Sequence, residues 1–317
     1  MARRHAHSGP AGSRPLRRVP SPAHARLNRR ISDSVWNAAV ARDTSFSYSF
    51  LVLPAEQRRA IGAVWDFCRA VDDAVDETPD RMLAAHRVAE WRAEVARLFG
   101  GETPVTAQGL ALKPFVGTLS LSRQPFDDLV DGVEMDLGTP RYQTFDQLVG
   151  YCRRVASAVG GMCIEVFGCR DAIDYAFNLG IALQVTNIIR DISGDLQNGR
   201  VYLPLDDLSR FGVTEATLAE RRVTEPVRTL LAFECQRARQ YFAAAQRAMP
   251  AGDGHKLVAA EIMGGIYFEI LQRIERRGYD VFSERVRVPK LVRARIALQI
   301  WARSQLSACG LTRSARA

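Results

Sequence analysis

Two short stretches of this 317-residue chain carry carboxylates at a spacing that can hold a cation. CRAVDDAVDE, residues 68–77, sets Asp72 and Asp76 four residues apart, with Asp73 and Glu77 beside them. NIIRDISGD, residues 187–195, repeats the spacing with Asp191 and Asp195. Four residues of helix rise about 6 Å, so each pair shares one face, where like charges repel. An exposed face would simply be solvated. Here, however, Ala70, Val71, Ala74 and Val75 interleave the first pair, and Val185, Ile188, Ile189 and Ile192 the second, which is the pattern of buried helices. Unpaired buried carboxylates are costly, and a divalent cation removes the cost. All-oxygen ligands select Mg2+, or Mn2+ in its place, over zinc. Mg2+ retains waters and joins a few carboxylates to substrate phosphates, so two such faces imply a phosphorylated substrate, most simply a diphosphate. Arg69, Arg190, Arg200, Arg285 and Arg42 are candidates to grip phosphate oxygens through the guanidinium fork. The competing reading makes each of them a structural ion pair with the same aspartates.

The elements that must position these groups are helical almost throughout. Apolar residues recur at helical spacing over about 55–77, 80–99, 106–120, 124–137, 144–168, 171–197, 225–248, 255–277 and 290–306. Breakers separate them: Thr78-Pro79, Gly100-Gly101, Gly138-Thr139-Pro140, Gly168, Asn198-Gly199, Pro250 and Pro289. No segment alternates with period two, and no internal repeat is evident. The fold class is all-α: a single-domain helical bundle over 31–306, between a disordered basic tail at 1–30 and a mobile C-terminal tail at 307–317. Gly160-Gly161 and Gly264-Gly265 interrupt two helices where alanine would be better by about 1 kcal/mol each. They mark either close helix packing or room for a bulky ligand.

Charge is distributed unevenly. Residues 1–30 hold eight Arg and no acid, and the chain after Glu284 holds eight basic residues and no acid. Of 43 basic and 35 acidic residues, 27 and 35 therefore fall in 31–284, a net of −8. An acidic body with basic ends does not describe a nucleic-acid groove. The six cysteines form no CxxC pair and sit among apolar neighbours, which argues for reduced thiols in a cytoplasmic protein and against a zinc site. The first 27 residues have no apolar core of the signal-peptide kind, and no uninterrupted run of about 18 apolar residues predicts a membrane span.

At this point the sequence resembles the squalene and phytoene synthases, head-to-head members of the trans-isoprenyl diphosphate synthases. The matching stretches are SFSYSFLVLP at 45–54, FCRAVDDAVDE at 67–77, YCRRVASAVG at 151–160, ALQVTNIIRDISGDLQNGRVYLP at 182–204 and IYFEILQRIERRGYDVFSERVRVP at 266–289, in family order. The resemblance implies an isoprenoid-synthase bundle around a central apolar cavity, with three Mg2+ ions and two diphosphates at its mouth. It implies Asp72, Asp76, Asp191, Asp195 and Asn187 as metal ligands, and Arg69 and Arg190 as diphosphate contacts. Tyr151 takes the place of a tyrosine near the ionising diphosphate. Ser45, Phe46 and Tyr48 would line the mouth, Trp65 stands where Tyr is commoner, Arg200 follows the second acidic cluster, and Tyr267 and Arg285 match C-terminal diphosphate contacts. Gly194 replaces a frequent Glu, leaving one carboxylate fewer, and Ser157 replaces a usual Gly.

The implied chemistry is ionisation of one allylic diphosphate, attack by the 2,3 double bond of a second, and proton loss to close a cyclopropane. Phe46, Tyr48, Trp65 and Tyr151 would offer π-faces to the cation. Two farnesyl diphosphates would give presqualene diphosphate. Two geranylgeranyl diphosphates would give prephytoene diphosphate and then phytoene. The 266–289 stretch looks most like bacterial presqualene diphosphate synthases of hopanoid pathways, ahead of phytoene and complete or dehydro-squalene synthases. NADPH would be needed only for the full squalene reaction, and no GxGxxG stretch is present. In a different class stands a non-catalytic, membrane-associated subunit of a terpenoid complex. Its support is 290–306, where Leu291, Val292, Ile296, Leu298, Ile300 and Trp301 interleave with Arg293, Arg295 and Arg303; this reads either as a last helix packed on the bundle or as an interfacial helix on the inner face of a membrane. Such a subunit would not need both aspartate pairs. A terpene cyclase would usually show a differently spaced second motif than NIIRDISGD.

Overall fold

The computed structural model describes residues 49–138, 140–252 and 254–308. Among them the chain is helical with no strand. In chain order the helices are α1 (Ala55–Asp76), α2 (Arg81–Gly100), α3 (Ala107–Thr118), α4 (Gln124–Met135), α5 (Phe145–Cys152), α6 (Ala158–Phe167), α7 (Ile173–Gln197), α8 (Leu205–Arg210), α9 (Glu215–Ala219), α10 (Glu225–Arg247), α11 (Val258–Arg276) and α12 (Lys290–Ala308). Local chemistry sets several boundaries. Asp80 accepts from the amides of Met82 and Leu83 to start α2, and Gly101, at φ 83°, ends it in the left-handed region. Thr106 and Thr144 cap α3 and α5 in the same way.

Helix α7 is the axis of the bundle. It buries Tyr175, Ala176, Leu179, Ile181, Ala182, Val185, Ile188, Ile189 and Ile192. Helix α10 runs along it, and α6, α11 and α5 pack on its other sides. Helix α1 instead packs on α2, α3, α4 and α6, turning Ile61, Val64, Phe67, Cys68 and Val71 inward. Helix α6 therefore touches both aspartate-bearing helices and spaces them.

The stretch Arg170–Gln197 is long and apolar enough to cross a membrane by length and composition, which qualifies the expectation that no such span exists. Within its most apolar 18-residue window 61% of the residues are buried against neighbouring helices, as befits a core helix that is apolar on several sides.

Helix boundaries expected from periodicity hold to within a few residues, with two differences. The expected helix 144–168 contains a π-helical turn at Arg153–Ser157, between α5 and α6. The connection between α7 and α10 contains two short helices, α8 and α9, each too brief for a periodic pattern.

The π turn lies between two close-approach glycines. A Cβ on Gly132 of α4 would fall 2.7 Å from Val155 Cγ1, and one on Gly180 of α7 would fall 2.7 Å from Ser157 Cα. Ser157 meanwhile donates its hydroxyl to the Phe177 carbonyl. The Gly pairs resolve as packing contacts: a Cβ on Gly160 would lie 3.0 Å from the Ala176 carbonyl oxygen, and one on Gly265 would lie 3.0 Å from both Ile296 and Ile300.

Backbone, not a flexible side-chain tip, opposes a Cβ at Gly180. Gly180→Ala is therefore expected to destabilise the fold by about 1–3 kcal/mol. Gly194→Ala, on the same helix with open space around it, should be neutral or stabilising by up to about 1 kcal/mol. Thermal unfolding followed by circular dichroism separates the two; equal melting temperatures would contradict the tight contact.

Candidate active site

Asp72 and Asp76 lie in the last turns of α1, and Asn187, Asp191 and Asp195 in the C-terminal half of α7. The two acidic faces influence each other. Burial, then repulsion from Asp76, pushes the Asp72 carboxyl up to about 7; Asp136 adds to the effect and Arg69 opposes it. Burial, then Asp191, pushes Asp195 up to about 7 as well, with contributions from Asp136 and Asp76. An aspartate on α7 thus responds to one on α1, which requires the two faces to converge.

The arginines neutralise part of this charge. Arg200, just beyond α7, donates its amide to the Asp195 carbonyl (2.8 Å) and reaches across to Asp76 Oδ1 at 2.7 Å. Arg285, in the connection between α11 and α12, grips Asp191 through Nε and Nη2, each at 2.8 Å. Arg190 holds the same carboxylate, with Nε 2.8 Å from Oδ1, and Tyr267 of α11 lies close enough to raise its pKa further. Burial raises the Asp191 carboxyl, but hydrogen bonds from Arg190 and Arg285 outweigh it and hold the group below its usual range. Arg69 pairs with Asp73 at 2.8 Å, one turn along its own helix. All four described candidate arginines therefore contact acids. Arg42 lies outside the described residues, as do Ser45, Phe46 and Tyr48. Trp65 is half-buried on α1, about two turns before Asp72.

Tyr151 closes one side of the site. It is buried, and its hydroxyl donates to Asp136 Oδ2 at 2.8 Å. The Tyr202 hydroxyl donates to Asp136 Oδ1, also at 2.8 Å. The two rings stack with centroids 5.2 Å apart, and Tyr142 lies 5.6 Å from Tyr151. Asp136, Tyr142 and Tyr202 were not among the residues expected from sequence. A signal did exist: Asp136 caps the C-terminus of α4, where the helix dipole disfavours an anion, so its presence there calls for another reason. Beside Asp195 and Arg200, Ile188, Ile192, Leu196, Val201, Leu203 and Leu218 line a small apolar pocket.

The residues fit a divalent cation that is shared with a substrate. Asn187 Oδ1 is buried and has no hydrogen-bond partner, while its amide nitrogen donates to Gln184. Asp72 and Asp195 are carboxyls that burial and neighbouring acids disfavour in the charged form. Among the described residues no three acidic, imidazole or thiol groups converge closely enough to cage a metal by themselves. An ion held by these residues would therefore need substrate oxygens and water to complete its coordination.

The chain that carries this geometry is similar to known proteins. The family model described as squalene/phytoene synthase matches residues 39–292. A phytoene synthase of Arthrospira platensis is 38% identical over 255 residues, covering 75% of this chain and 82% of that protein. A presqualene diphosphate synthase of Rhodopseudomonas palustris is 35% identical over 266 residues, covering 82% and 94%. Among solved structures, the squalene synthase HpnC from Alicyclobacillus acidocaldarius superposes with a TM-score of 0.71 at 30% identity, covering 82% of this chain and 97% of that one. A dehydrosqualene synthase shares the fold, with a TM-score of 0.80 at 24% identity, covering 89% and 99%.

Metal ligation needs ionised carboxylates, so protons would compete with any cation held by Asp72 and Asp195. Below about 7 these groups hold protons, and above it they release them. Mg2+ affinity of the metal-free protein, measured by calorimetry, is expected to rise from about pH 6 to about pH 8 with proton release on binding. Asp195→Asn should flatten that dependence. A pH-independent affinity would remove these two carboxylates from the site.

Proposed function

The chain belongs to the squalene/phytoene synthase family, and on that premise we propose that it joins two farnesyl diphosphates head to head into presqualene diphosphate. As a family member it is a prenyltransferase of isoprenoid biosynthesis, and its substrates are prenyl diphosphates. The observation that carries the reading is the convergence of the two aspartate faces, spanned by Arg200 and flanked by Arg190 and Arg285. Asp72, Asp76, Asn187, Asp191 and Asp195 would hold Mg2+, which when bound neutralises charge developing on the departing diphosphate.

The chain's own groups supply the rest. Arg190, Arg285 and Arg200 are placed to exchange carboxylate partners for diphosphate oxygens, with Arg69 and Tyr267 beside them. The C1–O bond breaks and its electron pair leaves with the diphosphate. The π pair of the second substrate's 2,3 double bond forms a new bond to C1. Loss of a proton then closes the cyclopropane, and one diphosphate remains on the product. Tyr151 and Trp65, with Phe46 and Tyr48, would shield the cation from water, which would otherwise quench it as an alcohol.

The farnesyl reading draws support from the presqualene diphosphate synthase relative, 94% of which is covered by the match. A second reading, condensation of two geranylgeranyl diphosphates to phytoene, is favoured by phytoene synthases at 38% and 36% identity. The two differ in the length of apolar tail and in whether the second diphosphate is kept on the product or lost.

The outer face of α12 supports peripheral contact with an anionic membrane. Leu291 (86% exposed), Leu298 (63%), Trp301 and Leu306 stand out from the helix, and the exposed basic residues Lys290, Arg295 and Arg303 flank them. Exposed apolar side chains interspersed with basic ones suit a lipid interface, and the substrates are themselves amphiphiles.

Purified protein with Mg2+ should convert farnesyl diphosphate to a C30 diphosphate that NADPH leaves unchanged, as identified by mass. A C40 hydrocarbon from geranylgeranyl diphosphate would establish the second reading instead, and no diphosphate release from either substrate would refute both. Asp72→Asn and Asp191→Asn should each lower turnover at least about a hundredfold with the fold intact. For the membrane contact, sedimentation with phosphatidylglycerol vesicles at low salt should retain the protein, and Leu298→Gln with Trp301→Gln should release it. Equal binding to neutral vesicles would contradict the part of the basic residues.

A further inference from the structure

Asp136 is absent from both aspartate pairs, yet it stands beside the site and its charge acts on Asp72 and Asp195. Both of its oxygens accept phenolic hydroxyls, from Tyr151 and from Tyr202. The tyrosines come from separate elements: Tyr151 from the end of α5, immediately before the π turn, and Tyr202 from the segment after α7. That segment is docked by backbone bonds from Leu205 N to the Tyr142 carbonyl (2.9 Å) and from Asp206 N to the Gln143 carbonyl (3.1 Å). Arg141, which donates to the Gly199 carbonyl and pairs with Glu215, pins the same connection. Stacking of Tyr202 on Tyr151 fixes the ring planes, and Asp136 fixes the hydroxyls.

We infer that Asp136 is a positioning residue that commits the Tyr151 proton, so that Tyr151 serves the carbocation and not the leaving diphosphate. A phenol has one proton to donate. With that proton on Asp136, Tyr151 has no donor left for a diphosphate oxygen; Tyr202 stacks on one face of its ring, and what the phenol has left to offer, lone pairs and uncovered π surface, suits a developing cation. Burial, and then the neighbouring Asp136 charge, hold the Tyr151 hydroxyl far above its ordinary range, so the proton stays on the phenol. Tyr202 acts as the second anchor: it occupies the other oxygen and prevents the carboxylate from turning. This assignment rests on the prenyl-coupling reading above and adds a division of labour within it: arginines and metal ligands at the anion, the Asp136–Tyr151 pair at the cation.

The test is a double-mutant cycle with the full-length protein, Mg2+ and the prenyl diphosphate that the unmodified chain consumes. Diphosphate release, coupled product and free prenyl alcohol are measured together. Asp136→Asn should lower kcat about a hundredfold, the scale of a misplaced group near reacting atoms, with KM within a few-fold of normal. Released diphosphate should then exceed coupled product, the difference appearing as prenyl alcohol. Tyr151→Phe should behave alike, and the D136N/Y151F pair should be no worse than the worse single variant. Without metal or substrate, D136N should shift the tyrosine absorption spectrum, and this shift should shrink in the Tyr151→Phe background. If D136N does not fold, Asp136→Glu keeps both acceptors on a longer arm, and the same leakage and non-additivity are expected.

Multiplicative losses in the double variant, or a change confined to KM, would overturn the assignment. So would full coupling in D136N or D136E. Each of these results leaves the functional reading standing, because the unmodified chain is turning over. An unmodified chain that releases no diphosphate would overturn both.

Discussion

Mutual repulsion among carboxylates kept out of bulk water is the constraint around which the site is organised. Asp72, Asp76, Asp136, Asp191 and Asp195 feel one another across three helices, and a chain left to itself would separate or protonate them. The fold prevents separation by rooting each group in an element packed on its neighbours. Asp72 and Asp76 end a helix whose inner face is fully engaged with α2, α3, α4 and α6. Asp191 and Asp195 belong to the helix that most of the remaining bundle is built on. The energy of that packing is what holds like charges together.

Three kinds of compensation answer the repulsion, and they differ in consequence. Asp191 is compensated by charge, with two arginines on one carboxylate. Asp136 is compensated by neutral donors, the two phenols, and its charge is therefore moderated without being cancelled. Asp72 and Asp195 have no comparable partner, and burial drives them toward the protonated form. These last two, with the unpartnered Asn187 oxygen, are the groups with most to gain from a cation. The distribution suits a protein that must be stable when empty and still accept positive charge on demand.

Much of this arrangement is legible in the linear sequence, for physical reasons. Helices of ten or more residues announce themselves because burial imposes a 3.6-residue rhythm, and the D-x-x-x-D pairs stand out because acids rarely interrupt such a rhythm. The Gly pairs are legible as signals, but only packing distances decide that they serve contact and not ligand space. Asp136 and Tyr202 are much harder to see, since neither belongs to a periodic motif and their relation spans 66 residues. Helices α8 and α9 are too short to carry a period. The pairing of Arg285 with Asp191 spans 94 residues, so the sequence offers candidates while the fold alone selects the partner.

The π turn between α5 and α6 has a consequence for how the wall behind Tyr151 is threaded. Inward-facing positions run Leu148, Tyr151 and Cys152, then skip to Ser157 and Ala158, then continue to Gly161 and Met162. The five-residue step from Cys152 to Ser157 is one longer than uninterrupted α-helix allows, in which the stripe would have returned by position 156. One residue of slack, taken up as a wide turn, re-phases the rod midway. Its first half can thus aim a tyrosine at Asp136 while its second half seats small residues against α7. A continuous α-helix through this stretch would have to give up one of those two alignments.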